Sequence, residues 1–202
     1  MAELDLPAKL TVSPDGNLAG ATGRYVKKLQ DLEGVYRNQT AFAELVESLG
    51  GEHEVYWVNS QDHGAHEGAL TIGTSTLLPG LIGDEFAVTR GHLHAISNRA
   101  ELYHCLSGHG VMLLETVDGR SEAVELTPGE AVNVPGEWVH RSVNVGDEPF
   151  VTLFTYCTDA GQDYGIIGNA GGMKNLVVTD GKGGWTTRPN PDHRGYAAAA
   201  GH

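Results

Sequence analysis

Residues 89–103 read Thr89-Arg90-Gly91-His92-Leu93-His94-Ala95-Ile96-Ser97-Asn98-Arg99-Ala100-Glu101-Leu102-Tyr103, and residues 134–144 read Val134-Pro135-Gly136-Glu137-Trp138-Val139-His140-Arg141-Ser142-Val143-Asn144. Side chains alternate faces along a strand, so His92 and His94 point the same way and two imidazoles can reach one ion. Glu101 and Tyr103 share a face in the next β-like run, after a turn through Ser97-Asn98. His140 comes from a later strand, entered through the turn at Pro135-Gly136. Three imidazoles and one carboxylate suit Fe(II), Mn(II), Ni(II) or Zn(II) and leave open positions on a six-coordinate ion, so catalysis is available. A lone His-x-His arises easily in a chain with 10 histidines, and it is the company of Glu101 and His140 that gives this one meaning. The other histidines have no comparable frame, and His104 alternates with Tyr103, away from the site.

Outward from these blocks, the texture from Glu54 onward is short β-branched and aromatic runs broken by Gly, Pro, Asn and Asp. That pattern predicts an all-β sandwich or barrel, with strands at 54–60, 69–78, 84–90, 93–96, 100–106, 110–116, 121–126, 131–134, 138–145 and 149–156. Asp118-Gly119 marks a tight hairpin, and Pro79-Gly80 and Pro128-Gly129 mark further turns. Before the β region, Thr40-Ala-Phe-Ala-Glu-Leu-Val-Glu has helical spacing, with Gln39-Thr40 at its start, and predicts a short helix at 41–48. The expected organisation is an N-terminal extension over 1–53 that packs on the barrel or a partner subunit, a barrel over 54–168, and a glycine-rich segment over 169–202 that wraps the barrel and ends in a frayed tail.

The chain has 202 residues and a formal net charge of −13. Its length suffices for a core without disulfides, and its charge argues against a phosphate-backbone binder, because nucleic-acid affinity is built on lysine and arginine. The expected partner is a small molecule. Cys105 and Cys157 each lie in an apolar β-like run and read as buried thiols in a reducing compartment. No apolar run approaches the ~20 residues that span a bilayer, and no basic, apolar leader opens the chain, so a cytoplasmic protein is expected.

The two blocks resemble the paired motifs of the cupin superfamily, with His92-x-His94, Glu101 and Gly108 in the first and Gly129, Pro135, His140 and Asn144 in the second. The resemblance implies a cupin double-stranded β-helix, or jelly-roll, barrel with an N-terminal extension that contains the short helix. Two departures stand out. Six residues separate His94 from Glu101, where typical cupins have three or four, and Glu137 occupies a place usually held by glycine. The longer gap is similar to that of the cupin-type glucose-6-phosphate isomerases. So are Pro79-Gly80, Gly83, Glu85, Val134-Pro135, Glu148-Pro149 and Asp159-Ala160-Gly161-Gln162-Asp163-Tyr164-Gly165, a likeness that covers roughly 54–168.

What that resemblance implies is an aldose–ketose isomerase that interconverts glucose 6-phosphate and fructose 6-phosphate through an enediol(ate). One divalent metal, Fe(II) first, with Mn(II), Ni(II) or Zn(II) as alternatives, would be held by His92, His94, Glu101 and His140. Glu101 and Tyr103 are the expected catalytic groups, with Tyr103 alternatively a packing residue of the barrel lining. A hydride shift between the carbons is the alternative to proton transfer by Glu101. Tyr56, Ser75 or a neighbouring threonine, Thr89, Gly91 and Tyr156 match the family's phosphate contacts, Tyr164 is expected to close over the pocket, and Arg90 is expected in a surface ion pair. Rival readings are an isomerase of mannose 6-phosphate or sulfoquinovose, a cupin iron dioxygenase, and a non-catalytic binding protein. A homodimer is expected.

Overall fold

Alternating apolar and polar residues, punctuated by turn residues, produce strands almost wherever they are expected. The computed structural model describes residues 6–64 and 66–196, and the alanine-rich end, expected to fray, lies outside the described residues. The elements run β1 (Thr11–Val12), β2 (Leu18–Ala19), β3 (Gly23–Lys28), α1 (Gln39–Leu49), β4 (Glu54–His63), β5 (Leu70–Leu77), β6 (Leu81–Ile82), β7 (Glu85–Val88), β8 (Glu101–Ser107) and β9 (Gly110–Thr116). They continue with β10 (Ser121–Leu126), β11 (Ala131–Val134), β12 (Trp138–Asn144), β13 (Phe150–Cys157), α2 (Gly165–Asn169), β14 (Asn175–Thr179) and β15 (Trp185–Pro189). The expected strand at 93–96 is absent, for a reason that belongs to the site. Helix α1 begins two residues earlier than expected because Asn38, rather than Gln39 or Thr40, caps it, its side chain accepting from Ala41 N at 3.0 Å.

Two antiparallel sheets form the barrel. One has the order β11-β8-β13-β5-β4-β3, and the other β10-β9-β12-β7-β14-β15 with β6 beside β7. The β9–β10 hairpin closes at Asp118-Gly119 as expected, with Gly119 at φ +95° and Thr116 N donating to Arg120 O at 3.0 Å. Of the N-terminal segment, β3 pairs with β4 from Gly23↔Ser60 to Lys28↔Glu54, and near the C-terminus β14 meets β7 at Val178↔Glu85.

Strand alternation divides the apolar residues into two cores. Tyr103, Cys105 and Phe154 of the first sheet face Met112, Leu114 and Leu126 of the second across the barrel interior. On the other face of the second sheet, Val111, Leu113, Val139 and Val143 pack with Phe42 of α1, Ile166 and Ile167 of α2, and Val177 of β14. β9 and β12 therefore form a wall between the barrel interior and an outer core closed by the two terminal segments. Burying a large side chain such as Phe150, which is 1% exposed, contributes about 3 kcal/mol. Cys105 is buried, Cys157 is half-buried, and both are free thiols.

Candidate metal centre

His92-Leu93-His94 is extended but belongs to no ladder. His92 exchanges both backbone hydrogen bonds with His140, at 3.0 and 2.9 Å, and Leu93 exchanges both with Asp163, at 3.3 and 2.8 Å. The chain changes partner between these two residues, from the edge of β12 to the segment before α2, so no run is long enough to count as a strand. The expected convergence survives, because an extended backbone still sends residues 92 and 94 to one side. Glu101 opens β8 and His140 lies on the interior face of β12, opposite Leu114. The structure brings His92, His94, Glu101 and His140 together, all buried, with one donor atom of each within 4.8 Å of every other.

The orientation of the rings decides what can sit among them. His94 Nδ1 lies 2.8 Å from Arg99 O, and His140 Nδ1 lies 2.9 Å from Trp138 O. A carbonyl only accepts, so in both rings Nδ1 carries the hydrogen and the neutral ring presents an Nε2 lone pair. Those lone pairs face Glu101 Oε2 at 3.2 Å from His94 and 3.0 Å from His140. His92 Nε2, 3.8 Å from the same oxygen, is buried without a hydrogen-bond partner. Lone pairs aimed at a carboxylate repel, and only a shared cation relieves them: protons, or one metal ion whose second-nitrogen contacts are already in place. The donor set thus fits a divalent ion bound by His92, His94, Glu101 and His140.

Electrostatics agrees with that fit. Burial and the neighbouring His140 push the His92 imidazole down to about 3, which keeps it neutral and able to ligate. Burial works to raise the Glu101 carboxyl, but a proton on the facing Nε2 of His140 or His94, standing where the shared cation would be, outweighs it and holds the group at about 2. Burial, with Glu101 nearby, pushes the Tyr103 hydroxyl well up, so Tyr103 keeps its proton.

The two departures from the cupin pattern turn out to be one structural unit. Glu137 is the non-glycine residue with positive φ among those described, at +70°, so the conformation that glycine would adopt is kept by a glutamate. Its carboxylate accepts from Ser97 Oγ at 2.7 Å, and its N–H donates to Ser97 O at 2.5 Å. Ser97 lies in the long gap between His94 and Glu101. Beside it, a Cβ on Gly136 would stand 2.6 Å from the Asn98 backbone, so glycine there lets the two loops touch. Arg99, in the same loop, forms a two-pronged pair with Asp159 at 3.1 and 2.7 Å while its carbonyl orients His94.

A cavity of about 320 Å³ opens over the cluster, lined by all of Tyr56, Ser75, Thr89, Gly91, Tyr103, Tyr156 and Tyr164 as well as by His92, Glu101 and His140. Ser75, and not a neighbouring threonine, faces it. Thr74 lies on the opposite face, donating to Gly16 O at 2.6 Å. Thr89 Oγ1 accepts from Ser142 N at 3.0 Å, and Tyr56 Oη accepts from Arg90 N at 3.3 Å. The Tyr164 ring stands 5.6 Å from His92. Arg90 is not in the expected ion pair. It is exposed and makes no ion pair with a described residue, its guanidinium lying 5.8 Å from the Tyr164 ring centre at the cavity mouth. Its outward placement is as expected, since Thr89 and Gly91 line the cavity and Arg90 does not. Sequence reasoning did not single out Tyr25, Asp62, Arg141 or Gln162, which also line the cavity. Alternation along β3 would have found Tyr25 had that stretch been read as a strand.

Comparisons with known proteins place this geometry in context. The family described as "Glucose-6-phosphate isomerase (GPI)" matches residues 26–194. A glucose-6-phosphate isomerase of Sinorhizobium medicae (strain WSM419) is 42% identical over 200 residues, which is 98% of this chain and 93% of that protein. One of Thermococcus kodakarensis (strain ATCC BAA-918 / JCM 12380 / KOD1) is 38% identical over 180 residues, 89% of this chain and 94% of the relative. Among solved structures, an oxalate decarboxylase of Bacillus subtilis is similar at a TM-score of 0.44 and 25% identity over 54% of this chain and 27% of that one. With the family match spanning most of its length and the same family name on relatives that align almost end to end, the chain belongs to the glucose-6-phosphate isomerase family.

Proposed function

We propose that the protein interconverts glucose 6-phosphate and fructose 6-phosphate with one divalent metal, Fe(II) first, and that it works as a cytoplasmic homodimer. The observation that carries the reading is the convergence of three imidazoles and one ionised carboxylate beside a cavity lined with neutral hydroxyl donors, with the lone pairs of His94 and His140 facing Glu101. The family membership supplies the substrate class.

When bound, the ion supplies a Lewis acid for the charge that develops as a carbonyl moves between adjacent carbons, commonly worth several kcal/mol. The remaining work falls to the chain. Glu101, ionised and facing the cavity, takes the proton from C2 and returns it to C1 on the same face. Tyr103, held protonated by burial, donates to the sugar oxygen that gains charge. Tyr56, Ser75, Thr89, Tyr156 and the Gly91 amide receive the anionic end, where hydroxyl and amide donors suit a dianion. Tyr164, at the cavity mouth, excludes water from the reacting carbons.

The test strips the protein with chelator, reloads it with Fe(II), Mn(II), Ni(II) or Zn(II), and follows fructose 6-phosphate to glucose 6-phosphate in deuterated water. Metal-restored turnover with deuterium entering at the migrating position supports the isomerase and the proton route. Turnover without deuterium moves the mechanism to a hydride shift, and tight metal binding without turnover removes the phosphohexose. Sedimentation of a monomer at micromolar concentration would defeat the dimer.

A further inference from the structure

The wall strand β12 carries two consecutive buried polar residues, and the proposed chemistry uses only His140. Arg141 is 6% exposed. Its Nη2 donates to Arg90 O at 2.8 Å, its Nε has no hydrogen-bond partner, and it makes no ion pair with any described residue. No carboxylate stands within ion-pair distance of this guanidinium; Glu115 and Glu85 act on it only from further away, so the desolvation of the charge is offset only in part. Two less buried arginines behave differently: half-buried Arg99 holds Asp159, and exposed Arg188 holds Asp84.

The position of the orphan cation is informative. Arg141 lines the same cavity as Thr89, Gly91, Ser75 and Tyr56, and its side chain reaches the backbone at Arg90. The chain at 91 leaves room for it only because the residue is glycine: a Cβ there would stand 2.8 Å from Arg141 Cβ. The charges otherwise facing the cavity are the carboxylates of Asp62 and Glu101, which repel an anion. A cavity that combines neutral donors, two carboxylates and one unpaired buried cation has one place where a negative group is favoured, beside Arg141.

We propose that Arg141 is the counter-charge for the anionic end of the substrate, the residue that makes the site prefer a phosphorylated sugar over a neutral one and that points the sugar's carbonyl end toward Glu101. This inference rests on the phosphosugar reading above. It adds a charge to a subsite otherwise built from hydroxyls and an amide. In the absence of an anion the guanidinium is held by one carbonyl; with an anion in place its free N–H groups gain an acceptor, and the charge-assisted bonds offset the burial.

The test compares the metal-loaded wild-type protein with R141M and R141K, measuring thermal protection and equilibrium binding of inorganic phosphate, fructose 6-phosphate and fructose, together with metal content per subunit. R141M is expected to weaken phosphate and fructose 6-phosphate on the order of 10- to 100-fold, with fructose binding and metal content unchanged. R141K is expected to recover part of the loss. A purely structural arginine would weaken all three ligands alike, and that outcome, or unchanged phosphate binding in R141M, overturns the proposal. If R141M does not fold, crystals of the wild-type protein soaked in phosphate decide: an anion within hydrogen-bond reach of Arg141 supports it, and an anion elsewhere or none overturns it. A wild-type protein that shows the Arg141-dependent preference but turns over no phosphohexose leaves this inference standing and removes the proposed reaction. Full isomerase activity with an unchanged KM in R141M does the reverse.

Discussion

Glu101 and Glu115 are both nearly fully buried, at 3% and 1% exposure, on strands that follow one another in the chain, yet they are solvated by different things. Glu115 points into the outer core. Its two oxygens accept from Lys174 N at 2.7 Å, Asn175 N at 2.9 Å, Ser121 Oγ at 3.2 Å and Tyr196 Oη at 2.5 Å. Four donors saturate it, and three of them belong to the C-terminal segment, which it clamps to β9. Glu101 points into the barrel and meets imidazole nitrogens whose outward hydrogens are already committed to carbonyls. A buried carboxylate is thus no sign of a site by itself. What separates a clamp from a ligand is whether the surrounding protein has left it a cation-shaped deficit.

The sharpest way to break that contrast is to remove the charge on each side of the wall. Glu101→Gln is expected to lower isomerase turnover by ~10³-fold or more, the size of several kcal/mol of lost charge stabilisation, and to drop metal content below one per subunit. Glu115→Gln is expected to keep metal content and turnover per folded molecule, while losing about 3 kcal/mol of stability as an amide N–H₂ meets backbone N–H groups. Metal analysis and urea unfolding of both variants check this. A Glu115→Gln protein that loses its metal, or a Glu101→Gln protein that keeps it, would erase the distinction.

The outer core offers a second, smaller test, through pH. Tyr36 is 2% exposed, stacks on Phe42 with ring centres 5.8 Å apart, and accepts from Val88 N at 3.2 Å. Burial pushes its hydroxyl up to about 12. Between pH 10 and 12 the unfolded chain releases this proton while the folded chain keeps it. The stabilising contribution is therefore complete below pH 10 and is lost as pH rises, by up to ~1.4 kcal/mol per unit. Tyr36→Phe is expected to be about 1–2 kcal/mol less stable at pH 7, where Val88 N loses its acceptor, and to close that deficit by pH 12. A deficit that stays constant across the range would mean that Tyr36 titrates freely in the fold.

The two faces of the wall were not equally legible. The interior was readable because a metal demands particular residue types at particular intervals, so His92, His94, Glu101 and His140 announce themselves against any background. The barrel followed from the alternation and turn residues around them. The outer core carries no such demand. Glu115 reads as one more polar residue on a strand, and its donors lie up to 81 positions away at Tyr196, a pairing that no local pattern encodes. Arg141 was masked by its neighbour, since a strand residue next to a ligand is expected to face away, yet it lines the cavity where its guanidinium meets Arg90 O. The strand at 93–96 was overread for a similar reason: the residues are extended, but their partners come from two separate segments.

Glu137 provides the finest form of the comparison, because it sets a strained backbone against a single hydrogen bond in the loop that carries the metal ligands. Its φ of +70° costs a non-glycine residue of order 1 kcal/mol, and its bond to Ser97 Oγ at 2.7 Å contributes about as much. Glu137→Ala keeps the strain and loses the bond, so a loss of about 1 kcal/mol is expected. Glu137→Gly loses the bond and relieves the strain, so its stability is expected within ~0.5 kcal/mol of wild type. Since the bond also ties the loop between His94 and Glu101 to the turn before His140, both variants are expected to release metal to a chelator faster than wild type, to the same degree. If the glycine variant is less stable than the alanine variant, the positive φ is not strained in this setting. If only one variant releases metal faster, the backbone conformation, rather than the tie to Ser97, is what holds the ligands in register.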